Sequence, residues 1–437
     1  MAVSNGGELR EWRRSRGWDA PELARRLRRI ADEPVAAHEG LVRMIRAWER
    51  GDHRPSERYE LLYRRLGLPP ADENEAEPQP PPASSREDIE LVRRRRFVEL
   101  TGISLAGAIL PGAAAISPAA GIEPLVLMLT GTSLESPEAP PDLADLALNV
   151  AQARKDYQAS RYAELVSHLP CLLSQLDSAC RYLSGDDRLR ACALSADAYH
   201  VAAGFLLKTG DQGLAHVATD RSMTAALASQ DPLTVGTSAR IVTHTLMSSG
   251  HLTAAVTTAQ NHATRLDHET GTTTPESLSV YGSVLLRGAL AAAQHDDRVT
   301  AHEMLAEAAG TARRLGTDAN LRGTAFGPVN TQMHQVNVAV TLGDAGTAID
   351  LARRIDLRAV TVTERKASLL IDVARAFFQW GKYEQAHAAL HAAEDIAPQE
   401  VAARSSVATL ARDLVTLAPA SIRRDAEQFA TRIGAPS

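Results

Sequence analysis

Asn330, His334 and Asn337 stand at i, i+4 and i+7 in the stretch FGPVNTQMHQVN (326–337), a spacing that puts three hydrogen-bonding side chains on one helix face. An Asn amide carries donor and acceptor side by side, so a pair of them can clamp a peptide backbone, with His334 adding a third polar contact. The same residues would serve equally as a buried polar seam that locks two helical hairpins together. Arg287 and Arg375 interrupt otherwise apolar helical stretches. Each could answer a ligand carboxylate, or pair with a carboxylate inside the fold.

Covalent and metal chemistry have weaker signals. The chain holds no G-x-x-x-x-G-K-[ST], H-E-x-x-H or G-x-S-x-G pattern. His216, His244, His251, His262 and His268 are scattered without a spacing that suits metal ligation. Asp186, Asp187, Asp296 and Asp297 fall where hairpin turns are expected and read as solvated caps. Cys171, Cys180 and Cys192 form no C-x-x-C pair and read as small buried hydrophobes of a reducing compartment. Neither an enzyme, a metal site nor a cofactor is expected; binding is.

The elements that must position these residues are helical. Ala-rich stretches dominate, strand-like runs are few, and aromatics are only 4%, so the core must come from Leu, Ala and Val. From 142 to 437 amphipathic helices alternate with short turns centred on Gly210, Gly250, Gly343 and Gly381. Gly210 to Gly250 is 40 residues and Gly343 to Gly381 is 38. This near-period predicts stacked helical hairpins of about 38–45 residues, each covering its neighbour's apolar face. A concave stack of that kind offers a groove for a peptide or small molecule.

The N-terminal 70 residues differ. They hold 15 Arg and 11 acidic residues, a net of +4, within a chain whose total is −6. Four short helices are expected, at about 8–16, 21–30, 41–50 and 59–66, with Leu9, Trp12, Leu23, Leu27, Ile30, Ile45 and Trp48 facing inward. Asp19 caps the second, and Gly17, Gly51 and Gly67 end the others. Residues 71–92 are acidic and rich in Pro and read as a linker. Residues 93–141 read as a connecting helical segment. Its Arg93, Arg94, Arg95 and Arg96 followed by the apolar run 105–116 look like an export signal, but the run is only 12 residues and lies deep in the chain. A cytoplasmic protein with no membrane partner is expected.

The head, 1–70, resembles the xenobiotic-response-element (XRE) family of helix–turn–helix regulators. The likeness is carried by Glu22-Leu23-Ala24, by IRAWERG (45–51) and by Pro55. It departs from that family in the long stretch 28–40 between the second and third helices. In the register the resemblance implies, Val42, Arg43, Arg46 and Ala47 face base edges of a double-stranded DNA operator, and Arg13, Arg14, Arg50 and Arg54 hold phosphates. Glu49 is expected to cap or pair locally. The stretch ARAFFQWGKYEQAHAAL (374–390) resembles a tetratricopeptide repeat. The whole layout resembles actinobacterial regulators with an XRE head and a tetratricopeptide-like body, and more distantly the peptide-pheromone receptors of Gram-positive bacteria. The resemblance implies an all-α homodimeric transcriptional regulator of secondary metabolism or development, controlled by a small molecule or peptide in the body (142–437). The alternative is a helical-repeat scaffold or interaction module that binds no DNA.

Overall fold

A computed structural model describes residues 6–30, 38–50, 55, 57–68, 121–131 and 142–435. The regular elements among these residues are twenty α-helices and one short 3-10 turn. The expected linker 71–92 and the apolar run 105–116 lie outside the described residues.

The head holds α1 (Gly6–Ser15), α2 (Ala20–Ile30), α3 (His38–Arg50) and α4 (Glu57–Arg65). Their core is Leu9, Leu23, Leu27, Leu41, Ile45, Trp48 and Tyr63, all but excluded from solvent. Tyr63 lies between Trp12 and Trp48, with ring centroids 5.6 and 6.1 Å away. Asp19 accepts a 2.6 Å hydrogen bond from the Glu22 amide and so caps α2.

The body begins with α5 (Glu123–Leu129), whose last carbonyls, on Met128 and Leu129, accept hydrogen bonds from Arg221. Six hairpins follow: α6 (Leu143–Gln158) with α7 (Tyr162–Tyr182), α8 (Gly185–Thr209) with α9 (Gln212–Ser229), α10 (Pro232–Ser248) with α11 (Leu252–Thr270). Then come α12 (Pro275–Gln294) with α13 (Arg298–Leu315), α14 (Pro328–Thr341) with α15 (Ala345–Ala352), and α16 (Thr363–Gln379) with α17 (Tyr383–Ile396). The chain ends in α18 (Pro398–Ala403), α19 (Ser405–Leu417) and α20 (Ala420–Arg432).

One turn recurs inside all six hairpins. A left-handed residue follows the first helix, at Ser160, Gly210, Gly250, Asp296, Gly343 and Gly381. The amide after it returns to a carbonyl five residues back, from Arg161 to Asp156, Asp211 to Leu206, His251 to Leu246, Asp297 to Ala292, Asp344 to Ala339 and Lys382 to Phe377, at 2.8–3.0 Å. That bond satisfies an orphan carbonyl and reverses the chain in few residues. The hairpins are therefore a structural repeat, although its length varies. First helices start at 143, 185, 232, 275, 328 and 363, intervals of 42, 47, 43, 53 and 35 residues. The longest interval contains the 3-10 turn Leu321–Gly323.

The first helices of the hairpins, α6, α8, α10, α12, α14 and α16, each pack on the next, and α6 also touches α16. The stack thus curls until its inner layer meets itself. The closing contacts join residues far apart in sequence: the Tyr162 hydroxyl bonds Glu400, and the Ala163 amide at the start of α7 donates to Gln399 Oε1 at 2.9 Å. Close crossings need small residues. A Cβ on Gly282 would lie 2.0 Å from the Phe326 ring, and one on Gly288 would lie 2.2 Å from Met304.

Of the three cysteines expected to be buried, only Cys192 is; Cys180 is half-buried and Cys171 exposed. No helix among the described residues is long and apolar enough to cross a membrane.

Candidate functional site

The six inner helices enclose a cavity of about 430 Å³, a size suited to a small ligand. Asn330, His334, Asn337, Arg287 and Arg375 all line it, brought together from α12, α14 and α16. Their neighbours decide what each can do. Asn337 donates to Asp372 at 2.6 Å and Arg375 sits 3.2 Å from the same carboxylate, so these two tie α14 to α16. Burial pushes Asp372 above its ordinary value, with Arg375 and Asn337 opposing. Asn330 is 6% exposed and its Oδ1 has no hydrogen-bond partner.

His334 Nδ1 lies 2.9 Å from the Asn330 carbonyl. A carbonyl only accepts, so Nδ1 carries the proton and Nε2 is left as an acceptor. Burial, then Arg365 and Arg287, push this imidazole down to about 3, which keeps it neutral. His200 and His244, also on the wall, are driven well below their usual value by burial and by neighbouring arginines.

The cavity is strongly cationic. Arg154, Lys208, Arg240, Arg287, Arg322, Arg365, Arg375 and Arg404 border it. Six of the eight have carboxylate partners. Arg154 meets Asp197 at 2.6 Å, Arg322 meets Asp231, and Arg375 meets Asp372. Lys208 bridges Glu364 and Glu400 at 2.6 Å each, Arg404 reaches both, and Arg365 lies 3.3 Å from Glu364. Burial opposes the charge on Glu364, yet Arg365, Lys208 and Arg404 together hold its carboxyl well below the usual range. Eight cations against Asp197, Asp231, Glu364, Asp372 and Glu400 leave a net of +3.

Arg240 and Arg287 carry two of these three charges, and the third belongs to Lys208, Arg365 and Arg404, which share Glu364 and Glu400. Among the described residues neither Arg240 nor Arg287 has a carboxylate within salt-bridge distance, and the Nε of each is buried without an acceptor. Arg240 donates from Nη2 to His200 Nε2 at 2.8 Å. Burial and the repulsion of Arg365 lower Arg240 to about 10; burial and the repulsion of Arg240 lower Arg287 to about 9. Two guanidinium groups are held in a partly open, water-accessible cavity with no carboxylate in contact. Isolated buried charges are costly, and an anion with hydroxyl or amine groups would satisfy both the arginines and the idle acceptors on Asn330 and His334.

The head corrects three expectations. Val42 and Ala47, assigned to base edges by the family register, are 8% and 9% exposed and belong to the head's interior. The buried arc of α3 is wide, taking in Leu41, Val42, Met44, Ile45, Ala47 and Trp48. Arg13, expected on a phosphate, is turned to partners within the head. It forms two hydrogen bonds with Glu49, at 2.5 and 2.8 Å, and a third with the Trp18 carbonyl, with its side chain 11% exposed. Glu49 does pair locally. Arg14, Arg46 and Arg50 are exposed and, with Arg10, border one cleft above that ion pair. The Arg43 side chain and Arg54 lie outside the described residues.

The sequence reading passed over Arg240, Lys208, Glu364, Arg365, Arg404 and the pairing of His200 with Arg240. Arg240 carries the same signal that singled out Arg287: a lone guanidinium in an apolar helix, here PLTVGTSARIVTHTLMS. The rest become neighbours only through ring closure. No family model, no curated protein and no solved structure matches this chain, so the likeness to XRE-type regulators rests on the head residues and the hairpin plan alone.

Proposed function

We propose that this chain is a helical-repeat binding module whose closed ring of inner helices holds a small anionic ligand without converting it chemically. The observation that carries this reading is the pair Arg240 and Arg287, set in that cavity without carboxylate partners. Met333, Leu290 and Ile241 supply apolar wall beside them, the mixture expected of a small-molecule site. Asn337 and Arg375 serve chiefly as a seam, while Arg287, Asn330 and His334 face the ligand. Calorimetric titration of the whole protein with pyrophosphate, a nucleoside monophosphate and a dicarboxylate tests this. Saturable binding at one equivalent, lost in R240A/R287A, is expected. Absence of heat with all three, or equal binding by the double variant, would count against it.

A second reading adds a DNA-binding regulator to this module. The exposed Arg10, Arg14, Arg46 and Arg50 around one cleft support contact with phosphates. On this reading base recognition falls to Arg46 and Arg43, and a homodimer presents two heads to an operator. Enrichment of particular genomic fragments by the purified protein, with a dimer mass in light scattering, tests it. A monomer that retains no duplex at low salt would refute it.

A further inference from the structure

A second cluster lies away from the cavity, between the last hairpin and the C-terminal helix. Helix α17 places His387 and His391 one turn apart, both 5% exposed. Their Nε2 atoms are 3.2 Å from each other. From α20, Asp425 Oδ2 stands 3.7 Å from His391 Nε2 and 3.9 Å from His387 Nδ1, and one ligand atom from each residue falls within a 4.8 Å set. Phe429 closes the back of the site, its ring centroid 5.1 Å from that of His391.

Two imidazole nitrogens at that separation share either one proton or one metal ion. With tetrahedral bonds of about 2.0–2.1 Å, two nitrogens on zinc sit about 3.3–3.4 Å apart. The histidines are therefore already near chelating separation. Asp425 is exposed, its side chain at 53%, and is free to swing toward the two nitrogens. The surroundings match a metal site as well. Glu394 Oε2 lies 3.4 Å from His391 Nδ1, and Arg432 grips Glu394 with two hydrogen bonds of 2.7 Å. Histidines that hold a metal commonly have a carboxylate near the far nitrogen, the place Glu394 occupies here.

The geometry points to a divalent transition-metal site, of the zinc or cobalt class, formed by His387, His391 and Asp425, with its fourth position open to water. Two nitrogens and one oxygen suit these ions better than magnesium or calcium. Bound metal would staple α20 to α17 and so fasten the end of the helical stack. This site does not depend on the central cavity, and its test leaves the cavity untouched.

The test is titration of chelator-treated whole protein with Zn²⁺ by calorimetry and with Co²⁺ by visible absorption. One equivalent is expected to bind, with the d–d bands of a four-coordinate ion. Asp425→Asn alters only an exposed side chain and should leave the melting curve of the metal-free protein in place while weakening Zn²⁺ by about ten-fold or more. His391→Gln should abolish the cobalt bands. No saturable binding, or binding undiminished in either variant, overturns the proposal and leaves a pair of histidines sharing a proton.

Discussion

Replacing Arg287 with Met should move stability and ligand binding in opposite directions. Met matches most of the side-chain length and removes the charge. Burial and Arg240 displace Arg287 from 12.5 to about 9, which for a fully desolvated group corresponds to about 4–5 kcal/mol of unfavourable interaction. The guanidinium faces a cavity that admits water, so screening cuts this to about 1–3 kcal/mol. Arg287→Met should therefore stabilise the ligand-free protein by about that amount, as apolar replacements of buried charge often do, and raise its melting temperature by a few degrees. The same change removes a charge-assisted contact to the anion, worth about 2–5 kcal/mol, so affinity should fall by about thirty-fold or more. Scanning calorimetry without added anion and titration with pyrophosphate read the two effects. A variant that melts below the wild-type protein and binds pyrophosphate undiminished would refute the reasoning, because Arg287 would then be a satisfied structural residue.

Acid should loosen the ring. The neutral His334, held at about 3, is protonated in the unfolded chain below about 6.5, so stability is full above pH 6.5 and is lost as pH falls toward 3, by about 3 kcal/mol at pH 4; His334→Gln should flatten that part of a melting-temperature profile, and an unchanged slope would contradict it. Gly282→Ala drives a methyl into Phe326 and should cost about 1–3 kcal/mol in a denaturant titration, whereas Gly346→Ala meets nothing within 4 Å and should cost little. In the head, Arg13→Ala should lower the melting temperature by breaking the Glu49 pair. Arg46→Ala should spare stability yet reduce the salt dependence of duplex binding by about one phosphate, and equal salt slopes in anisotropy titrations would exclude a phosphate contact there.

Much of the local structure was legible. Leu9, Leu23, Leu27, Ile45 and Trp48 recur at helical spacing and form the head's core. Four of the six hairpin turns announced themselves because Gly210, Gly250, Gly343 and Gly381 adopt the left-handed conformation at little cost. The turn at Ser160 was hidden, and that at Asp296 was expected only from its paired acids. Ser160 and Asp296 occupy the same conformation, and neither residue type signals it, although Asp visits it more readily than most. Val42 and Ala47 were misplaced because a borrowed register, rather than the width of the apolar arc on α3, set their direction. His387 and His391 show chelating spacing in the sequence, but their third partner, Asp425, comes from another helix and has no local sign. The ring itself had none either: Tyr162 and Glu400 are 238 positions apart, and periodicity says that hairpins stack, not that the stack closes.

Closure explains why the same cavity contains both a paired and an unpaired set of charges. Lys208 from α8, Glu364 from α16, and Glu400 and Arg404 beyond α17 draw the two ends of the stack together, with Tyr162 of α7 joined to Glu400. Arg240, Arg287 and Arg365 come from α10, α12 and α16; Arg365 lowers the affinity of Arg240 for its proton, and Arg240 and Arg365 lower that of Arg287. Attraction thus acts at the seam and repulsion across the middle. An anion seated among the three arginines would cancel the repulsion while leaving the seam intact, so occupancy and ring closure favour each other by the reciprocity of linked equilibria. The proteolysis rate of the body should then fall as pyrophosphate is added. In Glu364→Gln, which removes the seam's central charge, the same ligand should protect less, because three cations left around a neutral amide push the ends apart. Equal protection in both proteins would mean that the seam and the cavity are energetically separate.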